Sequence, residues 1–336
     1  MADIGLFVVT ALASRFTIMG NKASSTPTIP TAFDIVKDKD LKGKTILITG
    51  AYSGLGASST KALLSVGAKV IVAGRSQKLQ DEFVDELSKT YDKSLIDGTH
   101  LLDLNDLNSV KEFSKYIKDT YKTIDVLLCN AGVMATPPGK TIQGYEVQMG
   151  INGIGHFLLC KNLVNITKRQ VWVSSGGHYL VGNDMKFDRK LGPRINIEKI
   201  EQVESDASTY EAWHRYQQSK LANVLLAKEF GNKFKNLESC SCHPGLVSTN
   251  LGRHMSLLST KLLFPLFITL GMMSKPRTSE EGASTQVLCC VTDTLKQGAY
   301  YADCDVAVEG DNAKLYPEDA VAIYEYCDKV TKEYQI

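Results

Sequence analysis

Thr49-Gly50-Ala51-Tyr52-Ser53-Gly54-Leu55-Gly56, TGAYSGLG, follows the apolar run Lys44-Thr-Ile-Leu-Ile48 and precedes the small-residue stretch Ala57-Ser-Ser-Thr60. Three glycines in eight residues are costly in any regular element, because glycine loses the most backbone freedom on folding. A strand–turn–helix offsets that cost. Glycines allow the tight turn and let a pyrophosphate approach backbone N–H groups at a helix N-terminus. The spacing here is G-x-x-x-G-x-G rather than G-x-G-x-x-G, and taken alone it fits a plain turn equally well.

The text downstream alternates. Apolar, strand-like runs stand at 45–49, 69–73, 100–102, 125–129, 170–174 and 239–243. Helical-period segments lie between them, at 77–91, 107–120, 145–164 and 216–234. Strands alternating with helices imply βαβ units and a doubly wound parallel sheet, with helices on both faces. The fully apolar strands fit a sheet buried on both sides. Ligands in such folds bind outside the carboxyl ends of the strands, where the polar motifs of this chain fall.

Composition excludes some classes. The chain has 336 residues, 43% hydrophobic and 22% charged, with a formal net charge of +1. It carries no global field or basic arm to attract nucleic acid. The eight cysteines (129, 160, 240, 242, 289, 290, 304 and 327) form no C-x-x-C pair, and no metal site is expected. They read as reduced, buried thiols of an intracellular chain. In that setting Asn165-Ile-Thr167 is not expected to be glycosylated. Residues 4–19 are apolar but short and interrupted by Arg15. Three readings fit them: a membrane-associated anchor, a helix packed on the protein, or a targeting peptide. Residues 21–41, polar and proline-bearing, read as a linker.

Four further motifs carry chemistry. Ala73-Gly74-Arg75 ends the second strand, about 20 residues after the glycines, where an acid would bind the ribose 2′-OH of NAD and an Arg the 2′-phosphate of NADP. No acid is present, so Arg75 favours NADP(H), with NAD(H) as the alternative; a solvated surface arginine is the plainer explanation. Asp103-Leu104 ends the expected third strand, where the carboxylate can accept from the adenine amino group, cap the following helix, or do both. Asn130-Ala131-Gly132 ends the fourth, with small residues that let a cofactor lie close. Tyr216-Gln-Gln-Ser-Lys220 places a phenol and an ammonium at i, i+4 on one helix face. The ammonium would favour phenolate and lower a pKa that is otherwise about 10. Any helix can carry such a pair by chance.

Taken in order, TGAYSGLG, Asp103, Asn130-Ala-Gly132, Asn152, Ser174-Ser175, Tyr216-x-x-x-Lys220 and His243-Pro-Gly245 resemble the short-chain dehydrogenase/reductase family over residues 42–305. Gly153-Ile-Gly-His-Phe157, Ser219-Lys-Leu-Ala-Asn223, His243-Pro-Gly-Leu-Val247 and Glu281-Gly-Ala283 are most similar to its retinol dehydrogenase and WW-domain oxidoreductase branch. The resemblance implies a Rossmann-like domain. It implies Tyr216 as the acid/base, Lys220 as the group that lowers its pKa and binds the nicotinamide ribose, Ser175 on the substrate oxygen, and Asn152 holding a relay water. It also implies cofactor contacts from Gly50, Tyr52, Ser53, Gly54, Leu55, Gly56, Arg75, Asp103, Leu104, Asn130, Ala131, Gly132, Tyr216, Lys220, Pro244, Gly245, Val247 and Thr249.

The implied reaction is interconversion of an alcohol and a carbonyl on an apolar substrate: a retinoid, a steroid or another lipid. Alternatives are a light-dependent reductase of a conjugated C=C bond, as in protochlorophyllide reductases, and a non-catalytic nucleotide-binding scaffold. The stretch 181–210 lengthens the usual spacing between Ser175 and Tyr216, as a substrate-side flap or an inert insertion. Residues 252–276 read as an apolar substrate lid. Residues 4–19 and 255–274 are candidates for contact with a membrane surface, and a homodimer is an expected partner state. Tyr52 stands where a small residue is usual.

Overall fold

In a computed structural model, residues 29–181, 194–201, 211–247, 276–307 and 317–336 are described. The elements run α1 (Ala32–Val36), β1 (Thr45–Thr49), α2 (Gly54–Leu64), β2 (Lys69–Ala73), α3 (Gln77–Leu87), β3 (Ile96–Asp97), α4 (Leu107–Thr120) and β4 (Ile124–Cys129). Next come α5 (Val147–Met149), a π-helical turn (Gly150–Gly155), α6 (His156–Leu163), β5 (Thr167–Val173) and a 3-10 turn (Gly176–Leu180). The rest are α7 (Ile197–Glu201), α8 (Ala212–Lys233), β6 (Glu238–His243), α9 (Ser279–Val291), β7 (Tyr300–Ala302), β8 (Asp305–Val306) and α10 (Pro317–Val330).

One sheet in the order β3-β2-β1-β4-β5-β6-β7-β8 organises them. All neighbouring pairs are parallel except β7 with β8, which is antiparallel. The strands bury both faces because alternate side chains point to opposite sides. Leu47, Ile71, Leu127 and Trp172 enter the layer under α4, α6, α8 and α10. Ile46, Ile48, Val70, Val72, Leu128 and Cys240 enter the layer under α1, α2, α3 and α9. The strand order reverses between β1 and β4, and the ends of those two strands carry TGAYSGLG and Asn130-Ala-Gly132. That is the crevice where open parallel sheets take their ligands.

The expected parallel sheet is present, with two local differences. The third strand is Ile96–Asp97, not 100–102. The Asp97 carboxylate accepts from Thr99 N and Thr99 Oγ1, a local turn that stops the ladder. Asp103 therefore lies in the connection beyond β3. Part of the expected linker is also ordered. A capping box between Thr31 and Asp34 starts α1, and its Ala32 and Val36 are buried against the core. Residues 1–28, most of the 181–210 stretch and 252–275 of the expected lid lie outside the described residues.

Candidate active site

The glycine turn meets its neighbours at backbone distance. Gly50 and Gly54 have φ of +65° and +50°, which other residues rarely adopt. Gly56 has a different reason. A Cβ there would stand 2.2 Å from Gly50 O and 2.8 Å from Asn130 Nδ2, so only glycine lets α2 start against the strand end. Ser53 occupies the N-cap of α2 but makes no side-chain capping bond. The first N–H groups of that helix are thus left for an anion. The tight glycine cradle and this uncapped terminus fit a dinucleotide pyrophosphate. Leu55 and Val247 converge on α9, where a Cβ on Gly282 would touch both within 2.8 Å.

A residue not singled out from sequence holds the centre. Thr49 Oγ1 accepts from Asn130 N (3.0 Å) and Ala131 N (2.9 Å) and lies 2.9 Å from His156 Nε2. His156 Nδ1 lies 3.1 Å from Asn152 O, a carbonyl that can only accept. Nδ1 therefore carries the proton, Nε2 accepts, and the Thr49 hydroxyl donates to it. Burial pushes His156 down to about 3, so the ring stays neutral. A threonine closing an apolar strand, directly before the glycines, was the available signal.

Asn152 sits in the π-helical turn. Its Oδ1 accepts from Val133 N (2.9 Å), while Nδ2 donates to Val133 O and Ser219 Oγ (both 2.9 Å). The side chain is fully used as a brace, so the implied relay water is left to the main-chain carbonyl, which the His156 bond only half occupies. Gly132 makes the brace fit: a Cβ there would lie 3.1 Å from Asn152 Oδ1 and 3.4 Å from Lys220 Nζ.

Tyr216 and Lys220 lie on α8 and are each 4% exposed. Ser175 stands two residues past β5 and lies beside Tyr216: a Cβ on Gly177 would meet Ser175 Oγ at 3.5 Å and Tyr216 Cε1 at 3.9 Å. Lys220 Nζ donates to Val173 O at 3.0 Å and stands 5.9 Å from the Tyr216 ring centre. Burial pushes Tyr216 up to about 12, and the neighbouring Ser175 hydroxyl only partly offsets that. The expected lowering by the ammonium does not dominate here: desolvation wins, and the phenol is an acid at neutral pH. Burial also brings Lys220 down to about 8.

The remaining candidates divide. Asp103 Oδ1 accepts from Asn105 N (3.0 Å), and the N-cap of α4 is Asp106, so the capping alternative for Asp103 does not hold. Leu104 is buried beside the π-helical turn, its carbonyl 2.7 Å from where a Gly155 Cβ would be. Arg75 is exposed just past β2, and the Tyr52 ring lies over Gly74. Gly245 takes φ +84° beneath the Arg277 guanidinium, which donates to Pro244 O at 3.1 Å. Thr249 lies outside the described residues. Among the described residues no His/Cys/Asp/Glu group could hold a metal ion.

A sequence profile described as short chain dehydrogenase matches residues 44–174. Retinol dehydrogenase 14 of Mus musculus is 36% identical over 277 residues, covering 79% of each chain. Retinol dehydrogenase 11 of Homo sapiens is 33% identical over 277 residues, covering 80% of this chain and 79% of its own. A crystal structure of an uncharacterised protein from Mycobacterium paratuberculosis superposes with a TM-score of 0.67 at 28% identity, covering 91% of this chain and 98% of its own. The fold also matches the NADP active-site complex of Pseudomonas aeruginosa RhlG, with a TM-score of 0.58 at 18% identity, 78% of this chain and 95% of that one.

Proposed function

The chain belongs to the short-chain dehydrogenase family of oxidoreductases, and from that premise we propose that it is an NADP(H)-dependent enzyme interconverting an alcohol and a carbonyl on an apolar substrate such as a retinoid, a steroid or another lipid. The observation that carries this reading is the buried Tyr216 with the Ser175 hydroxyl beside it and Lys220 one helical turn along the same face. When bound, NADP(H) supplies or takes up the hydride. In the reducing direction the protonated Tyr216 gives its proton to the substrate oxygen, and Ser175 holds that oxygen by its hydroxyl. Lys220 faces the phenol with a charge that favours phenolate as the proton leaves. Arg75 after β2 supports the preference for NADP(H), as does the NADP complex among proteins of this fold. The retinol dehydrogenases among its relatives support the apolar substrate.

Tyr216→Phe removes only the proton donor. Turnover is expected to fall by about 10²–10⁴-fold, the usual worth of general acid catalysis, with NADPH affinity little changed. Undiminished turnover in that variant would sink the mechanism. The reading includes contact with a membrane surface through 4–19 and 255–274. No helix among the described residues is long and apolar enough to span a membrane. Fractionation of the full chain should place it with membranes and a chain lacking residues 1–20 largely in the supernatant. Identical partition of the two would remove the anchor role.

A further inference from the structure

Gly74 does not have a left-handed φ, so its backbone does not require glycine. Its surroundings do. A Cβ at position 74 would stand 2.1 Å from Tyr52 Cε1, 2.8 Å from Cζ and 3.0 Å from Cδ1. Carbon atoms in contact keep about 3.5–4.0 Å apart. The Tyr52 ring therefore fills the volume that a side chain at 74 would take. The ring is held there because it comes from the turn after β1, which runs beside β2 with Thr49 opposite Ala73. Gly50 N also donates to Ala73 O at 2.7 Å. The ring packs against the α2/α9 layer of the core and is only half exposed.

Position 74 is the first residue past β2, where an enzyme using NAD presents an acid to the ribose 2′-OH. We infer that Tyr52 and Gly74 are a matched pair that sets nucleotide choice by exclusion. The ring keeps any side chain, above all a carboxylate, out of position 74 and leaves the exposed Arg75 as the side chain that meets the adenosine ribose. This rests on the cofactor reading above and assigns Tyr52 a positioning role within it. It predicts that nucleotide preference cannot be moved at position 74 alone, because an acid introduced there must first displace the Tyr52 ring.

The test is fluorescence titration of NADPH and NADH into the full-length protein, Tyr52→Ala, Gly74→Asp and the double variant. The unaltered protein should favour NADPH by at least about tenfold, a difference that one charge-assisted contact can supply. Gly74→Asp should lose about tenfold or more for NADPH without gaining NADH affinity. The double variant should bind NADH at least about tenfold more tightly than Gly74→Asp does. A single Gly74→Asp change that reaches the NADH affinity of the double variant would overturn the exclusion. Equal affinity of the unaltered protein for both nucleotides would also overturn it. A protein that binds neither would take the cofactor reading down as well, which separates the two failures. Thermal melting gives an arm free of nucleotide. Gly74→Ala should lower the melting temperature in the natural background and leave it unchanged in Tyr52→Ala. Equal drops in both would show that the ring does not guard the position.

Discussion

The Thr49 hydroxyl accepts two backbone N–H groups from the Asn130-Ala131 turn and donates to a neutral histidine, so it uses its whole capacity. Removing it strands polar groups inside a crevice that must also seat a cofactor. Thr49→Val, nearly isosteric, should cost about 2–3 kcal/mol of stability, because buried donors without partners cost about 1–3 kcal/mol each. Thr49→Ser keeps the hydroxyl and should cost much less. Urea unfolding of both variants checks this, and equal midpoints would show that the network is not holding the turn. Tyr216 and Lys220 were visible in the sequence because their chemistry depends on i, i+4 spacing. Thr49 offered only its place at the end of an apolar strand before the glycines, and a hydroxyl there carries no spacing signal that names its partners. Its partners lie about 80 and 107 residues away, and only the sheet order brings them together. The surroundings of Tyr216 were hidden for a related reason. Sequence shows the neighbouring charge but not the burial, and burial is the larger effect.

Element boundaries followed the strength of the local pattern. The helix read at 107–120 is Leu107–Thr120, with Leu107, Val110, Phe113, Ser114 and Ile117 buried along one face. The third strand was misplaced because only two residues pair, and a carboxylate turn ends them; a run of apolar letters cannot show that. The helix read at 145–164 contains a π-helical turn rich in glycine, and these glycines are not equivalent. A Cβ on Gly155 would stand 2.7 Å from the Leu104 carbonyl, a backbone atom that cannot step aside. A Cβ on Gly153 would meet Met149 Sδ at 2.9 Å, on a flexible side chain that can. Gly155→Ala should therefore destabilise by about 1–3 kcal/mol, the range for overpacking. Gly153→Ala should be near neutral, since alanine regains about 0.5–1 kcal/mol of helix propensity. Melting curves that rank the two the other way would contradict the close approach of the Leu104 loop to this turn.

At the scale of the molecule, the parallel sheet could be read from alternation because each buried strand announces itself in apolar text. The closing edge could not. Tyr300–Ala302 and Asp305–Val306 are too short and polar, and the antiparallel β8 depends on a turn through Asp303 and Cys304 with φ of 52° and 60°. The same packing that buries the sheet also buries histidines, with a consequence for acid stability. Burial holds His156 at about 3 and His214 and His243 at about 4, against 6.5 unfolded. A histidine with a depressed folded pKa binds more protons unfolded than folded between those values. Its stabilising contribution is thus complete above pH 6.5 and is lost as pH falls toward 4, for His156 toward 3. The geometry agrees: His243 Nδ1 accepts from Gly176 N at 3.1 Å, a bond that protonation of that nitrogen would break. Carboxylates held below their usual range, such as Asp97 and Asp125, add their loss only at lower pH, below about 3.9. Unfolding midpoints between pH 7.5 and 4.5 should therefore fall chiefly through the histidines. His156, fully buried, accounts for about 1.4 kcal/mol per pH unit below 6.5. His156→Gln should start less stable at pH 7.5 yet lose less on acidification, giving a shallower slope. A slope unchanged from that of the natural chain would mean that His156 is already free to take a proton in the folded state.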